Sequence, residues 1–195
     1  MKKLILGIMC LFAFIGSANA GVIYNMQNGK LLSVNGVNIN GLLYNVTFGN
    51  SCNSMFAGCN ASLLDFNTQA DAISAMDALF SQVFLDNVLV DGNTYNFDAN
   101  PELVQSCDVV GFCEIWIPYN VANGNATSVW YVNVNGNDYV GSVDYNIYTG
   151  YGDSEQYMAF TNFELATNTV PSPMPLSLLG LGLLALVMTR KKQSA

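Results

Sequence analysis

Both ends of this chain are apolar and basic, and together they fix which residues are left to build a fold. Lys2 and Lys3 precede a nearly uninterrupted apolar run from Leu4 to Ile15, followed by Gly16-Ser17-Ala18-Asn19-Ala20. A basic head, a short apolar stretch and small residues at Ala18 and Ala20 are the features of a secretory signal peptide. Cleavage by signal peptidase is expected between Ala20 and Gly21, and Cys10 would leave with the peptide. At the other end Leu176 to Met188 is again apolar and is followed by Arg190, Lys191 and Lys192. That run of thirteen residues is short against the about 20 of a comfortable transmembrane helix. The basic triplet would stay in the cytoplasm and leave the middle of the chain on the far side.

The tail has a tripartite layout. Val170-Pro171-Ser172-Pro173 comes first, then the Leu/Gly-rich run beginning Leu176-Ser177-Leu178-Leu179-Gly180-Leu181-Gly182, then Arg190-Lys191-Lys192. It resembles the PEP-CTERM sorting domain of Gram-negative bacterial surface proteins, with Ser172 where that family most often has Glu. The resemblance covers the tail and implies recognition and processing by an exosortase-type enzyme after a transient stay in the inner membrane. Its usual setting is a bacterium that makes extracellular polysaccharide. An ordinary single-pass anchor, permanently retained, is the alternative.

Three segments follow: residues 1–20 as signal peptide, 21–169 as the exported domain, and 170–195 as sorting signal. The middle segment, about 150 residues, has the size of one domain. Its charge is one-sided. Lys30 is its single basic residue, whereas all 14 acids of the chain lie within it. Such a domain repels phosphate backbones, whose binding needs Lys and Arg, so nucleic acid is excluded as a partner.

Cys52, Cys59, Cys107 and Cys113 lie in the middle segment. An even number in an exported domain reads as disulfides. Three pairings are open. The clustering favours Cys52 with Cys59 and Cys107 with Cys113, each worth about 2 kcal/mol by the chain-entropy estimate. A four-cysteine zinc site is the rival, with looser spacing than structural zinc prefers.

Strand patterns dominate. Leu42, Tyr44, Val46 and Phe48 alternate with their neighbours in a period-two run. Asn35-Gly36 and Asn40-Gly41 are tight-turn dipeptides. Further strands are expected over 114–119, 129–134, 139–148 and 156–165, with turns at Asn135–Asp138 and Thr149–Ser154. Tyr139, Val143, Tyr145 and Ile147 should share one face of their strand. One helix stands out, capped by Thr68 with Asp71 three residues on. Its stripe of Ile73, Met76, Phe80, Val83 and Phe84 continues to Asp86-Asn87. The expected fold is α+β: a mainly antiparallel sheet wet on one side, with one amphipathic helix on the other. A β-sandwich carrying the helix is the alternative. The run from Asn40 to Phe48, the two close cysteine pairs and this single helix also resemble ectodomains of PEP-CTERM proteins, which bring no assigned activity.

Chemistry is sparse. The chain has no histidine, which excludes serine and cysteine triads that use it, and histidine metal sites. There is no Gly-rich phosphate loop. Glu102, Glu114, Glu155 and Glu164 offer carboxylates for a glycan-cleaving pair, with Trp116, Trp130 and the tyrosines as sugar-stacking surfaces. Fourteen acids supply such pairs by chance, so no catalytic residue, cofactor-binding residue or metal ligand is assigned. Calcium is the one cofactor weighed, at Asp91-Gly92-Asn93 and Asn135–Asp138, where oxygen ligands meet tight turns. The expected protein is a non-enzymatic exported one, placed at the cell surface or in an exopolysaccharide matrix as a structural or carbohydrate-associated module. A small secreted carboxylate-dependent enzyme acting on glycan is the alternative.

Overall fold

The computed structural model describes residues 21–151 and 155–166. The strands are β1 (Ile23–Gln27), β2 (Lys30–Ile39), β3 (Leu42–Gly49), β4 (Val88–Val90), β5 (Asn93–Tyr95), β6 (Phe112–Ala122), β7 (Asn125–Val134), β8 (Tyr139–Tyr148) and β9 (Met158–Leu165). A one-turn helix α1 (Cys52–Met55) and the main helix α2 (Gln69–Gln82) lie between β3 and β4. Seven strands form one sheet in the order β1-β2-β3-β9-β6-β7-β8, and β4-β5 is a separate hairpin. All pairs are antiparallel except β6 with β9. The architecture is α+β with one large sheet.

Local sequence sets the hairpins. Asn28-Gly29, Asn40-Gly41, Asp91-Gly92 and Asn123-Gly124 each join two strands with both residues at positive φ. That is the turn whose twist matches antiparallel strands, and Asn or Asp followed by Gly tolerates it best. Asn35-Gly36 is not a turn, contrary to the sequence expectation. It lies inside β2, where pairing with β3 steps from Asn35↔Asn45 to Val37↔Tyr44 and leaves Gly36 (φ 84°) as the extra residue. This bulge resets the alternation, so Val34 and Val37, three apart, both enter the same core.

Helix α2 starts at the expected cap: Thr68 Oγ1 accepts the Asp71 N–H at 3.2 Å. The Thr68 hydroxyl also donates to Asp71 Oδ2 at 2.6 Å. The helix ends at Gln82, four residues before the expected Asp86. Its buried face is smaller than the large-residue stripe suggests. Ala72, Ala75, Met76, Ala78 and Leu79 are buried, whereas Ile73 and Phe80 pack only partly. Alanines let the helix lie close against the sheet, and the flanking aromatics seal its sides. Val83 and Phe84 are buried beyond the helix end.

The sheet buries both faces. Ile115, Ile117, Ala159 and Phe163 pack with α2 in the larger core. Their neighbours Trp116, Met158 and Phe160 point the other way and pack under Cys52, Phe56 and Cys59. The expectation of one wet face is therefore corrected: the α1 loop covers part of the second face. Each fully buried Phe or Ile contributes about 2 kcal/mol through apolar burial.

Cys52 is bonded to Cys59 (Cα–Cα 4.9 Å) and Cys107 to Cys113 (5.5 Å). The pairs belong to the two different cores, so the rival four-cysteine zinc site is not formed. Lys30 Nζ donates to the carbonyl of Glu102, to that of Cys107 at 2.7 Å and to Asp108 Oδ1 at 2.8 Å. The lone base of the domain thus holds the loop that the second disulfide closes.

A tyrosine-walled cleft as candidate functional site

Trp116 on β6 and Trp130 on β7 are cross-strand partners. Their rings are stacked, with centroids 5.2 Å apart and planes 7° from parallel. Phe160, the register partner of Trp116 across the parallel β6–β9 pair, stacks on Trp116 at 5.9 Å. Trp116 is therefore enclosed and only 2% exposed. Gly141 of β8 lies against the Trp130 ring so closely that a Cβ there would come within 2.4 Å of it. The indoles form the floor of the site, and the sugar-stacking faces expected of them are already occupied.

The walls are tyrosines. Tyr145 meets both indoles edge-on, at 5.7 and 6.3 Å. With Asn146, Ile147, Tyr148, Tyr151, Tyr157 and Glu114 it lines a cleft of about 380 Å³ over Trp116 and Trp130. Tyr145, Tyr148 and Tyr151 are 48, 68 and 42% exposed, so aromatic surface remains open to a ligand. The placement of Tyr145 depends on an irregularity. Four residues of β8, Ser142 to Tyr145, lie opposite three of β7, Ser128 to Trp130. Val143, grouped with Tyr145 and Ile147 by simple alternation, packs against the helix-side core instead, because this slip reverses the facing of the strand.

Glu114 is the carboxylate of the cleft. Its Oε2 accepts the Trp116 Nε1–H at 3.1 Å. Burial pushes this carboxyl up; the Trp116 bond lowers it in part, and the negative charge of Glu155 raises it further. The Tyr151 and Tyr157 hydroxyls meet at 3.4 Å. Through that bond first, and burial second, the Tyr157 phenol is held above its usual range. The Asn53 N–H of α1 donates to the Thr149 carbonyl at 3.2 Å, so the Cys52–Cys59 loop braces the chain segment that carries Tyr151. An aromatic cleft edged by tyrosine hydroxyls, Asn146 and Glu114 suits a ligand that has flat apolar faces and hydroxyls.

The other sequence candidates lie elsewhere. Asp91-Gly92 forms the β4–β5 turn. Asp138 Oδ1 accepts the Val134 N–H at 3.1 Å, and burial raises its carboxyl. Among the described residues no three acidic or cysteine side chains converge in a metal-binding group. Glu102 Oε2 accepts the Gly111 N–H at 2.9 Å, within the loop held by Lys30. Val170, Pro171, Ser172 and Pro173, the triplet Arg190, Lys191 and Lys192, and the N-terminal apolar run lie outside the described residues. No helix among the described residues is long and apolar enough to cross a membrane.

Glu114, Trp116 and Trp130 were legible as candidates by residue type. Tyr148, Tyr151 and Tyr157 had no signal of their own beyond being aromatic residues near a turn. Compared with known protein families, characterised proteins and solved structures, the chain matches none.

Proposed function

We propose that this is an exported, non-enzymatic bacterial protein whose folded domain binds extracellular polysaccharide at the tyrosine-walled cleft. In this reading the signal peptide delivers it, the tail tethers it briefly in the inner membrane, and an exosortase-type enzyme processes it. The product resides at the cell surface or in the surrounding matrix. The observation that carries the binding role is the cleft itself: exposed Tyr145, Tyr148 and Tyr151 over an indole floor, with the Glu114 carboxylate to accept hydroxyl hydrogen bonds. Two disulfides fit folding in an oxidising compartment.

A second reading, a small glycan-cleaving enzyme, starts from Glu114, the carboxylate that lines the cleft, with Glu155 as the second of the two carboxyls that glycoside hydrolysis requires. Incubating the oxidised protein with the producing cell's own polysaccharide separates the two. Retention on the polysaccharide without new reducing ends supports the binding module. New reducing ends that disappear in Glu114→Gln support the enzyme, and neither result would remove the glycan assignment. The intact mass of the native protein tests the sorting route. A chain beginning at Gly21, without residues 176–195, in surface or medium fractions is expected; a full tail retained in the membrane would contradict it.

A further inference from the structure

Resting on the glycan-binding reading, we infer that the cleft selects sugars that carry a free, positively charged amine, as in a deacetylated amino-sugar polymer. Three features converge on this. The polar charge at the cleft is negative, from Glu114. The walls are Tyr145, Tyr148, Tyr151 and Tyr157, whose ring faces attract a cation through their quadrupole. No basic side chain lines the cleft, and Lys30, the one basic residue among those described, is engaged with Asp108 and two carbonyls. A uronate would enter with no partner for its charge and against that of Glu114. A neutral sugar would gain only stacking and neutral hydrogen bonds. An ammonium gains the ring faces and a charge-assisted hydrogen bond to the carboxylate.

The test is calorimetric titration of the oxidised full chain at about pH 6, where a sugar amine is protonated. The probes are oligomers of glucosamine, N-acetylglucosamine, glucose and mannuronate, matched in length. The glucosamine oligomer is expected to bind about tenfold more tightly than the acetylated and neutral ones, and the mannuronate oligomer not measurably. Glu114→Gln keeps an acceptor for Trp116 Nε1, so its fold should survive and its preference for the amine should vanish. Tyr148→Ala, at an exposed position, should weaken the glucosamine oligomer severalfold. Asp91→Asn, in a turn that does not line the cleft, serves as control for diffuse attraction between an acidic protein and a cation. Equal binding of neutral and amino oligomers overturns the amine selectivity while leaving the glycan site standing. A loss in Asp91→Asn as large as in Glu114→Gln also overturns it, by making the effect diffuse. Absence of binding to all four oligomers and to the native polysaccharide overturns the glycan site as well.

Discussion

The indole N–H of Trp116 donates to the carboxylate of Glu114 at 3.1 Å, across two residues of the same strand. Both side chains project from β6 to the second face of the sheet, so the bond fixes the floor of the cleft and its charged group as one unit. Trp116→Phe should therefore do two things. It removes buried ring volume between Trp130 and Phe160, and it leaves Glu114 without its donor. The expected loss is about 2 kcal/mol in chemical denaturation, with the Glu114 carboxyl moving further up. Unchanged stability would mean that the stack has little structural weight.

Gly141 is fixed by contact with Trp130. An added Cβ would fall 2.4 Å from the ring, so Gly141→Ala must push strand β8 or the indole aside. A cost of about 1–3 kcal/mol is expected. The near-ultraviolet circular dichroism of the only two tryptophans, which are stacked on each other, should weaken with it. A variant with wild-type spectrum and stability would show that β8 does not press on Trp130.

Much of this frame was readable in the residues, and the reasons for the rest are physical. Asn40-Gly41 followed by the alternation from Leu42 to Phe48 announces a hairpin because turn and strand preferences agree there. Thr68 announces its helix through the cap. Asn35-Gly36 misleads because a bulge and a turn make the same demand, a residue that accepts positive φ, and only the partner strand decides between them. The insertion of β9 between β3 and β6 brings Phe160 to Trp116 across 44 residues of sequence, and nothing local encodes it. The cleft depends on that pairing and on the slip within β8, so its tyrosines could not be grouped in advance.

Asp65 links stability to pH through one hydrogen-bonded, partly buried carboxyl. Its Oδ2 accepts the Phe163 N–H at 2.7 Å. Partial burial of the carboxyl, on a residue that keeps contact with solvent, raises it from 3.8 to about 6; the Phe163 and Asp65 backbone N–H groups offset part of this, and Glu164 adds to it. The folded state thus keeps a proton that the unfolded chain releases between those values. The stability contributed by this group is full below 3.8 and is lost as pH rises through about 6. Asp65→Asn should remove that dependence. Denaturation across this range should show wild type gaining on the variant as pH falls; parallel curves would contradict the assignment.

Lys30 has a structural role that its isolation in an acidic domain makes easy to test. It donates to the Glu102 and Cys107 carbonyls and to Asp108. Lys30→Met keeps much of the apolar stem but leaves those acceptors without their charged donor. The expected loss is about 1–2 kcal/mol in chemical denaturation, with faster reduction of Cys107–Cys113 than of Cys52–Cys59 under mild thiol. A variant with unchanged stability and unchanged order of reduction would show that the loop is held by its disulfide alone.

Side-chain nuclear magnetic resonance during titration with the producing cell's polysaccharide tests directly whether the second face of the sheet carries a glycan site. Saturable shifts concentrated on the rings of Tyr145, Tyr148, Tyr151 and Tyr157, with smaller ones at the Trp116 and Trp130 indoles, are the predicted result. Shifts centred on another surface, or none at saturating polysaccharide, would contradict it.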